Sequence, residues 1–303
     1  MKFDNYALPS IKIKSNWFDG KDNMFKKIGK EEGLNLYLQL FRFRLHQGKY
    51  DEHVFRVTIG ELKEFTKMNC KTKLRNNQVF DLLKKMSRAG IIELHKPVRW
   101  NYLVDENDKI KPDTLIVLKA IDVPHTYKGA DKNGVSIDSP TTDNDYYITI
   151  NFNTIDYIYN DLSLTSKEVS VYLLMLKLSN NSEHKANINI NKIENWLGYS
   201  DDTITNILIT LNENYLLATH TKKNGKKINF EHVPLRSYSR IETFKRDADE
   251  IIQKFLKRYG KAENKEYNPF DDIEEDIDSE NWGSSPNGYD QETGEIKFDL
   301  TQS

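Results

Sequence analysis

Lys71, Lys73, Asn76, Asn77, Lys84 and Arg88 bring four cations and two amides into one short stretch of the chain. An ammonium or guanidinium neutralises a phosphate, and a carboxamide can pair bidentately with the edge of adenine. The surrounding pattern predicts a helix over 72–89 with Val79, Leu82, Leu83 and Met86 on its inner side. At about 100° per residue, Lys73, Asn77, Lys84 and Arg88 then share an arc of roughly 80° on the other side. Lys71 and Asn76 lie near the helix start. Asp81 falls in the same arc and opposes phosphate binding, so a merely solvated face is the competing reading.

A second cationic group is Lys222, Lys223, Lys226 and Lys227, set around Asn224-Gly225, a dipeptide typical of a type I′ hairpin turn. Two strands would hold the four ammonium groups together, and a polyanion would relieve their repulsion. A solvated turn is the plainer alternative. Lys12, Lys14, Lys21, Lys26 and Lys27 surround Trp17 and Phe18 near the start. Such interleaving could serve single-strand stacking, although packing of the two aromatics against the domain is the simpler expectation.

Catalytic patterns are missing from the sequence. It contains no phosphate loop, no dinucleotide fingerprint after a strand and no His-Glu-x-x-His. Its seven histidines never fall at metal-ligand spacing, and Cys70, the single cysteine, cannot build a structural zinc site. No catalytic residue, metal or cofactor is therefore expected, and the chain reads as a non-enzyme. No apolar run approaches the ~20 residues of a membrane span, and the first residues lack a secretory layout. With one cysteine and no intrachain disulfide, a cytoplasmic protein is expected.

Charge is distributed unevenly. Residues 260–303 carry 13 acids against 3 bases, which leaves +8 on residues 1–259 within a net charge of -2. A basic body joined to an acidic tail points to a polyanion partner that the tail modulates. A tail that only solubilises an ordinary body is the alternative.

The elements that would position these residues follow from an internal repeat at an offset of about 135. Ile11-Lys12-Ile13 is echoed by Ile148-Thr149-Ile150, and the run Leu34, Leu36, Tyr37, Leu38, Leu40, Phe41, Arg42 by Val169, Val171, Tyr172, Leu173, Met175, Leu176, Lys177. Both runs read as central helices buried on most sides. Thr165 with Glu168 forms a capping box for the second.

After each central helix the order is alike. In the first copy it is a short strand at 54–57, a helix at 59–66 capped by Thr58 and Glu61, a turn, the 72–89 helix ending at Gly90, and strands at 91–95 and 114–121. In the second, Asn191 and Glu194 cap a helix to 197, Ser200 caps one to 214, and strands follow at 216–221 and 227–233. That is the order of a winged helix-turn-helix. The expected fold is α+β, mainly helical, with tandem winged helix-turn-helix domains at 1–127 and 145–238 joined by a polar linker at 128–144. An amphipathic helix at 239–259 follows, which either packs back on the second domain or pairs with a second chain. The acidic stretch 260–303 is expected to be disordered.

The phrase Ile11-Lys12-Ile13-Lys14-Ser15-Asn16-Trp17-Phe18, leading through Phe25-Lys26-Lys27-Ile28 into the Tyr37 helix, resembles openings of winged-helix replication initiators and replisome organisers. These are the DnaD-like and RepA-like proteins of plasmids and phages of low-GC Gram-positive bacteria. The resemblance spans 8–95 and, more faintly, 146–235. It implies binding of origin DNA and help in recruiting a helicase. The Tyr, Ile and Trp spacing of the DnaD C-terminal motif is not found around Trp282.

Double-stranded DNA is accordingly the expected partner, with a replisome protein for the tail and a second copy of the chain as further ones, and no membrane. A transcriptional or partition-type regulator would use the same surfaces. A protein–protein adaptor without DNA binding is the third reading, supported by Asp201-Asp202 at the start of the second domain's last helix.

Overall fold

The computed structural model describes residues 10–45, 53–68, 74–95, 99–124, 126–130, 136–140, 146–224 and 227–260. For 67–68, 126–130, 136–140, 222–224 and 227–228 the backbone alone is described. The architecture is α+β, helices packed with small antiparallel sheets. No helix among the described residues is long and apolar enough to cross a membrane.

In the first half, β1 (Ser10–Lys14) leads through α1 (Met24–Lys27) to α2 (Lys30–Leu40). β2 (Val54–Thr58), α3 (Ile59–Met68), α4 (Asn76–Arg88), β3 (Ile92–Leu94) and β4 (Leu115–Ala120) follow. A hairpin of β5 (Thr126–Ala130) and β6 (Ser136–Pro140) precedes the second half. There, β7 (Tyr147–Asn151), α5 (Phe152–Asp156) and α6 (Ser166–Leu178) are followed by β8 (Ala186–Asn187), α7 (Ile190–Leu197) and α8 (Asp201–Glu213). β9 (Leu217–Asn224), β10 (Lys227–Pro234) and α9 (Ile241–Tyr259) complete it.

Each half builds the same three-stranded sheet. The orders are β2-β4-β3 and β8-β10-β9, so in both the last strand lies in the middle. The central helices behave as their apolar sequences require. Every residue from Leu34 to Phe41 in and after α2, and from Val169 to Leu176 in α6, is buried. Gly29 sets the start of α2 at φ 103°, and a Cβ there would stand 2.6 Å from Leu82 Cδ2, so α4 packs against bare backbone.

Several caps match expectation. Thr58 and Glu61 exchange bonds of 2.8 and 3.1 Å, the Thr165 N–H donates to Glu168 at 3.0 Å, and Ser200 Oγ accepts from Thr203 at 3.4 Å. One cap lies elsewhere. α7 is capped by Asn189, whose carboxamide oxygen accepts from the Lys192 N–H at 2.9 Å, two residues before the expected Asn191.

The halves are not separate beads on a string. β1 and β7 pair with Ile11 opposite Ile150, Lys12 opposite Thr149 and Ile13 opposite Ile148. Those four isoleucines are buried within one continuous core that spans both halves. Two five-residue strands cannot hold a sheet alone, so each repeat completes the other. The pairing is self-complementary about Lys12 and Thr149, as in an isologous contact. Polar residues 128–144, expected to be a linker, include most of the β5–β6 hairpin.

The same pseudo-symmetry recurs in two charged clasps. Arg42, after α2, pairs with Asp156 of the other half and lies 5.3 Å from the ring centres of Phe65 and Phe152. Lys177, in the last turn of α6, pairs with Asp19 of the other half and lies 4.6 Å from the ring centre of Trp196. Asp19 is half-exposed whereas Arg42 and Asp156 are 17% and 30% exposed, so the Arg42 clasp is screened less and is the stronger. Arg42→Gln should cost about 1–3 kcal/mol because it strands a part-buried carboxylate. Asp156→Asn added to it should cost little more. Fully additive losses in urea unfolding would contradict the clasp.

The amphipathic helix α9 packs within the chain. Ile241, Phe244, Ala248, Ile252 and Phe255 are buried, and the rings of Phe255 and Tyr259 meet Phe230 of β10 at 6.4 and 5.6 Å. Its apolar face is thus occupied by its own second half, the first of the two expected outcomes. Residues 261–303, expected to be a disordered tail, lie outside the described residues.

Candidate nucleic-acid interface

Val79, Phe80, Leu82, Leu83 and Met86 bury one side of α4, which leaves a polar stripe outside. The helix begins at Asn76, four residues later than the sequence predicts. Its first turn is held by the Arg75 N–H donating to Gln78 Oε1 at 2.8 Å, a cap made by a residue type that carries no capping signal.

This shift redraws the interface. Lys71 and Lys73 lie outside the described residues. Asn77 and Arg88 are exposed as expected, with Asp81 between them. Lys84 is half-buried, its Nζ 5.0 Å from the centre of the Phe80 ring. Asn76 is half-buried, and its carboxamide oxygen is enclosed without a hydrogen-bond partner.

Sequence reasoning missed Gln78 and Lys85, exposed on the outer side of α4, and Arg75, exposed at its N-cap. Its arc ran from Lys73 through Lys84, Asn77 and Arg88 to Asp81, and Lys85 and Gln78 lie about 40–60° beyond that edge. Among the described residues, Arg75, Lys84, Lys85 and Arg88 make no ion pair. Four cations against Asp81 leave this surface positive.

The corresponding helix of the second half is different. α8 carries no lysine or arginine, and its first turn exposes Asp201 and Asp202. These carboxylates suit the positive end of the helix dipole but repel phosphate. The cations of this half stand on the sheet instead. In the β9–β10 register Lys222 faces Asn229, Lys223 faces Ile228 and Lys227 faces Asn224. Three lysines therefore occupy the outermost rungs of an eight-residue ribbon. Because Asn224 is itself paired, it is not a central turn residue. Gly225 and Lys226 connect the strands and lie outside the described residues.

Three of the five N-terminal lysines are engaged in the fold, and Lys21 and Lys27 are exposed. Lys14 pairs with Asp122 at 3.0 Å, and Lys12 lies 4.8 Å from the Tyr147 ring centre. Lys26 donates to the carbonyls of Lys21 and Asn195 at 2.9 and 2.7 Å. Trp17 and Phe18 are fully buried core residues, not a stacking surface. Cys70 falls outside the described residues, among which no group of three acids, histidines or cysteines could hold a metal. No protein-family model, curated protein or solved structure matches the chain.

Proposed function

We propose that the chain binds double-stranded DNA as a replication initiator or replisome organiser of a mobile element, through two winged-helix units fused about a pseudo-dyad. The observation that carries this reading is the cationic stripe of α4, which makes no ion pair, on the last α-helix before the two strands that complete a sheet of order first-third-second. That is the place a recognition helix occupies in a winged helix-turn-helix, where its outer face enters the major groove. The β9–β10 ribbon then grips the backbone with Lys222, Lys223, Lys226 and Lys227. The role in replication rests on the resemblance of the opening phrase from Ile11 to Phe18.

The acidic start of α8 favours a second reading for that half alone. Its helix meets a protein partner while its wing meets DNA.

Asn77 provides the test of sequence recognition. Asn77→Ala should weaken binding to a specific site by about 1–3 kcal/mol and leave random duplex unaffected. Anisotropy titrations on both duplexes measure this, and equal losses on the two would reject a base-reading role. Footprints confined to promoters, with none at an origin, would move the protein from replication to transcriptional regulation.

A further inference from the structure

The two wings are built differently. β9 and β10 join through two residues, whereas twenty separate β3 from β4. Within that longer connection Trp100–Leu103 forms a 3-10 turn. It is a fixed support: Leu103 is fully buried, the Lys111 N–H donates to the Leu103 carbonyl at 2.9 Å, and Val104 bridges Ile110.

The turn is also fastened to α4. The Trp100 ring meets Phe80 edge-on with centroids 5.8 Å apart, and Phe80 is the ring beneath Lys84 Nζ. At about 100° per residue, Phe80 lies some 60° around the helix from Asn77. The turn thus borders the cationic stripe.

Tyr102 lies in the middle of this support and is 55% exposed, the most open large hydrophobic residue among those described. Exposed Arg99 and Asn101 flank it; the nearest acid along the chain, Asp105, accepts from the Asn107 and Lys109 N–H groups at 2.9 and 2.8 Å, and exposed Glu106 and Asp108 follow. Isolated exposed aromatics are common. Here one is held on an anchored turn, beside a guanidinium and a carboxamide, at the rim of a positive helix face.

We propose that Tyr102, with Arg99 and Asn101, is a stacking site for an unpaired nucleobase of DNA whose adjoining duplex lies on α4. The phenol ring takes the face of the base, Arg99 neutralises the neighbouring phosphate, and the Asn101 carboxamide meets the base edge. Stacking on an aromatic tolerates any base, so the site favours opened DNA over closed duplex rather than one sequence over another. The inference rests on the DNA-binding reading and adds to it a second ligand state, the locally melted strand.

The test uses the full chain and two labelled probes, an A·T-rich duplex and the same duplex with an internal run of unpaired thymines. Wild-type protein should prefer the opened probe. Tyr102→Ala should weaken that probe by about five- to 150-fold per stacked base and leave the closed duplex unchanged, while Tyr102→Phe keeps the preference. Because Tyr102 is solvent-facing, both variants should melt with the wild type. The inference is overturned by the absence of any preference, by equal weakening of both probes in Tyr102→Ala, or by the same loss in Tyr102→Phe. In each of those cases duplex binding itself stands. If neither probe were bound by wild type, the DNA reading would fall first and the stacking site with it.

Discussion

Changing Lys222, Lys223, Lys226 and Lys227 together to alanine is expected to flatten the salt dependence of DNA binding. Each neutralised phosphate releases condensed counterions, so the slope of log affinity against log salt should fall by up to ~0.9 for every phosphate left without its lysine, or about 3 to 4 for all four. The backbone register places three of these lysines at one end of the ribbon. Lys222, Lys223 and Lys227 occupy the last rungs of one ribbon, with Lys226 in the connection. Counterion release contributes most at low salt, so the weakening should be greatest in dilute buffer. A change in sequence preference is not expected, because a point charge on the backbone reads no base. An unchanged slope would take the ribbon out of the interface and leave α4 as the sole DNA-binding surface.

The second large effect concerns stability rather than binding. His232 on β10 is fully buried, and its Nδ1 lies 3.0 Å from Thr219 Oγ1. Asn212 donates to the same hydroxyl oxygen at 2.8 Å, so the hydroxyl proton is free to go to Nδ1. Nε2 has no hydrogen-bond partner. Burial pushes the imidazole down to about 3 from its ordinary 6.5, against a smaller opposite pull from the neighbouring Glu231. Glu231 is itself buried and paired with Lys185 at 3.0 Å, which blunts that pull.

The folded state therefore keeps this ring neutral where the unfolded chain protonates it. Stability from His232 is intact above pH 6.5 and is lost as pH falls toward 3, by a total of order 4 kcal/mol. Urea unfolding of wild type and His232→Gln over that range isolates the effect from other acids. The wild type should lose several kcal/mol more than the variant on acidification. Parallel pH profiles would mean that His232 is hydrated or ionised in the fold.

Much of this structure could be read from local pattern. The central helices declared themselves as long, predominantly apolar runs, the second opened by the capping box of Thr165 and Glu168. Thr58 and Ser200 marked helix starts through side chains that accept a backbone proton, and Thr165 through the Glu168 carboxylate that accepts its N–H. The apolar spacing of α9 was equally plain, although periodicity alone could not say what would cover it; Phe230 and its surroundings do.

What escaped was long-range or locally uncoded. The echo of Ile11-Lys12-Ile13 in Ile148-Thr149-Ile150 was visible as a repeat, but nothing local says that repeated strands pair with each other. The clasps of Arg42 and Lys177 needed the same knowledge, since each cation finds its acid more than a hundred residues away. Among the candidate site residues, Asn77 and Arg88 were found because they sit opposite the buried stripe. Gln78 and Lys85 were lost with the misplaced start of α4, for which Arg75 carries no signal. Tyr102 was hidden in a loop whose polarity gave no period to read.

On the reading proposed here, the positive surfaces of the folded body meet nucleic-acid phosphates. Gel retardation of random-sequence DNA in dilute buffer, by the full chain and by a version ending at Tyr259, tests it most directly. The shortened protein should retard duplex at least as well as the full chain, and added salt should abolish the shift. Free migration of both duplex and single strands beside the shortened protein, shown to be folded by its melting transition, would contradict it.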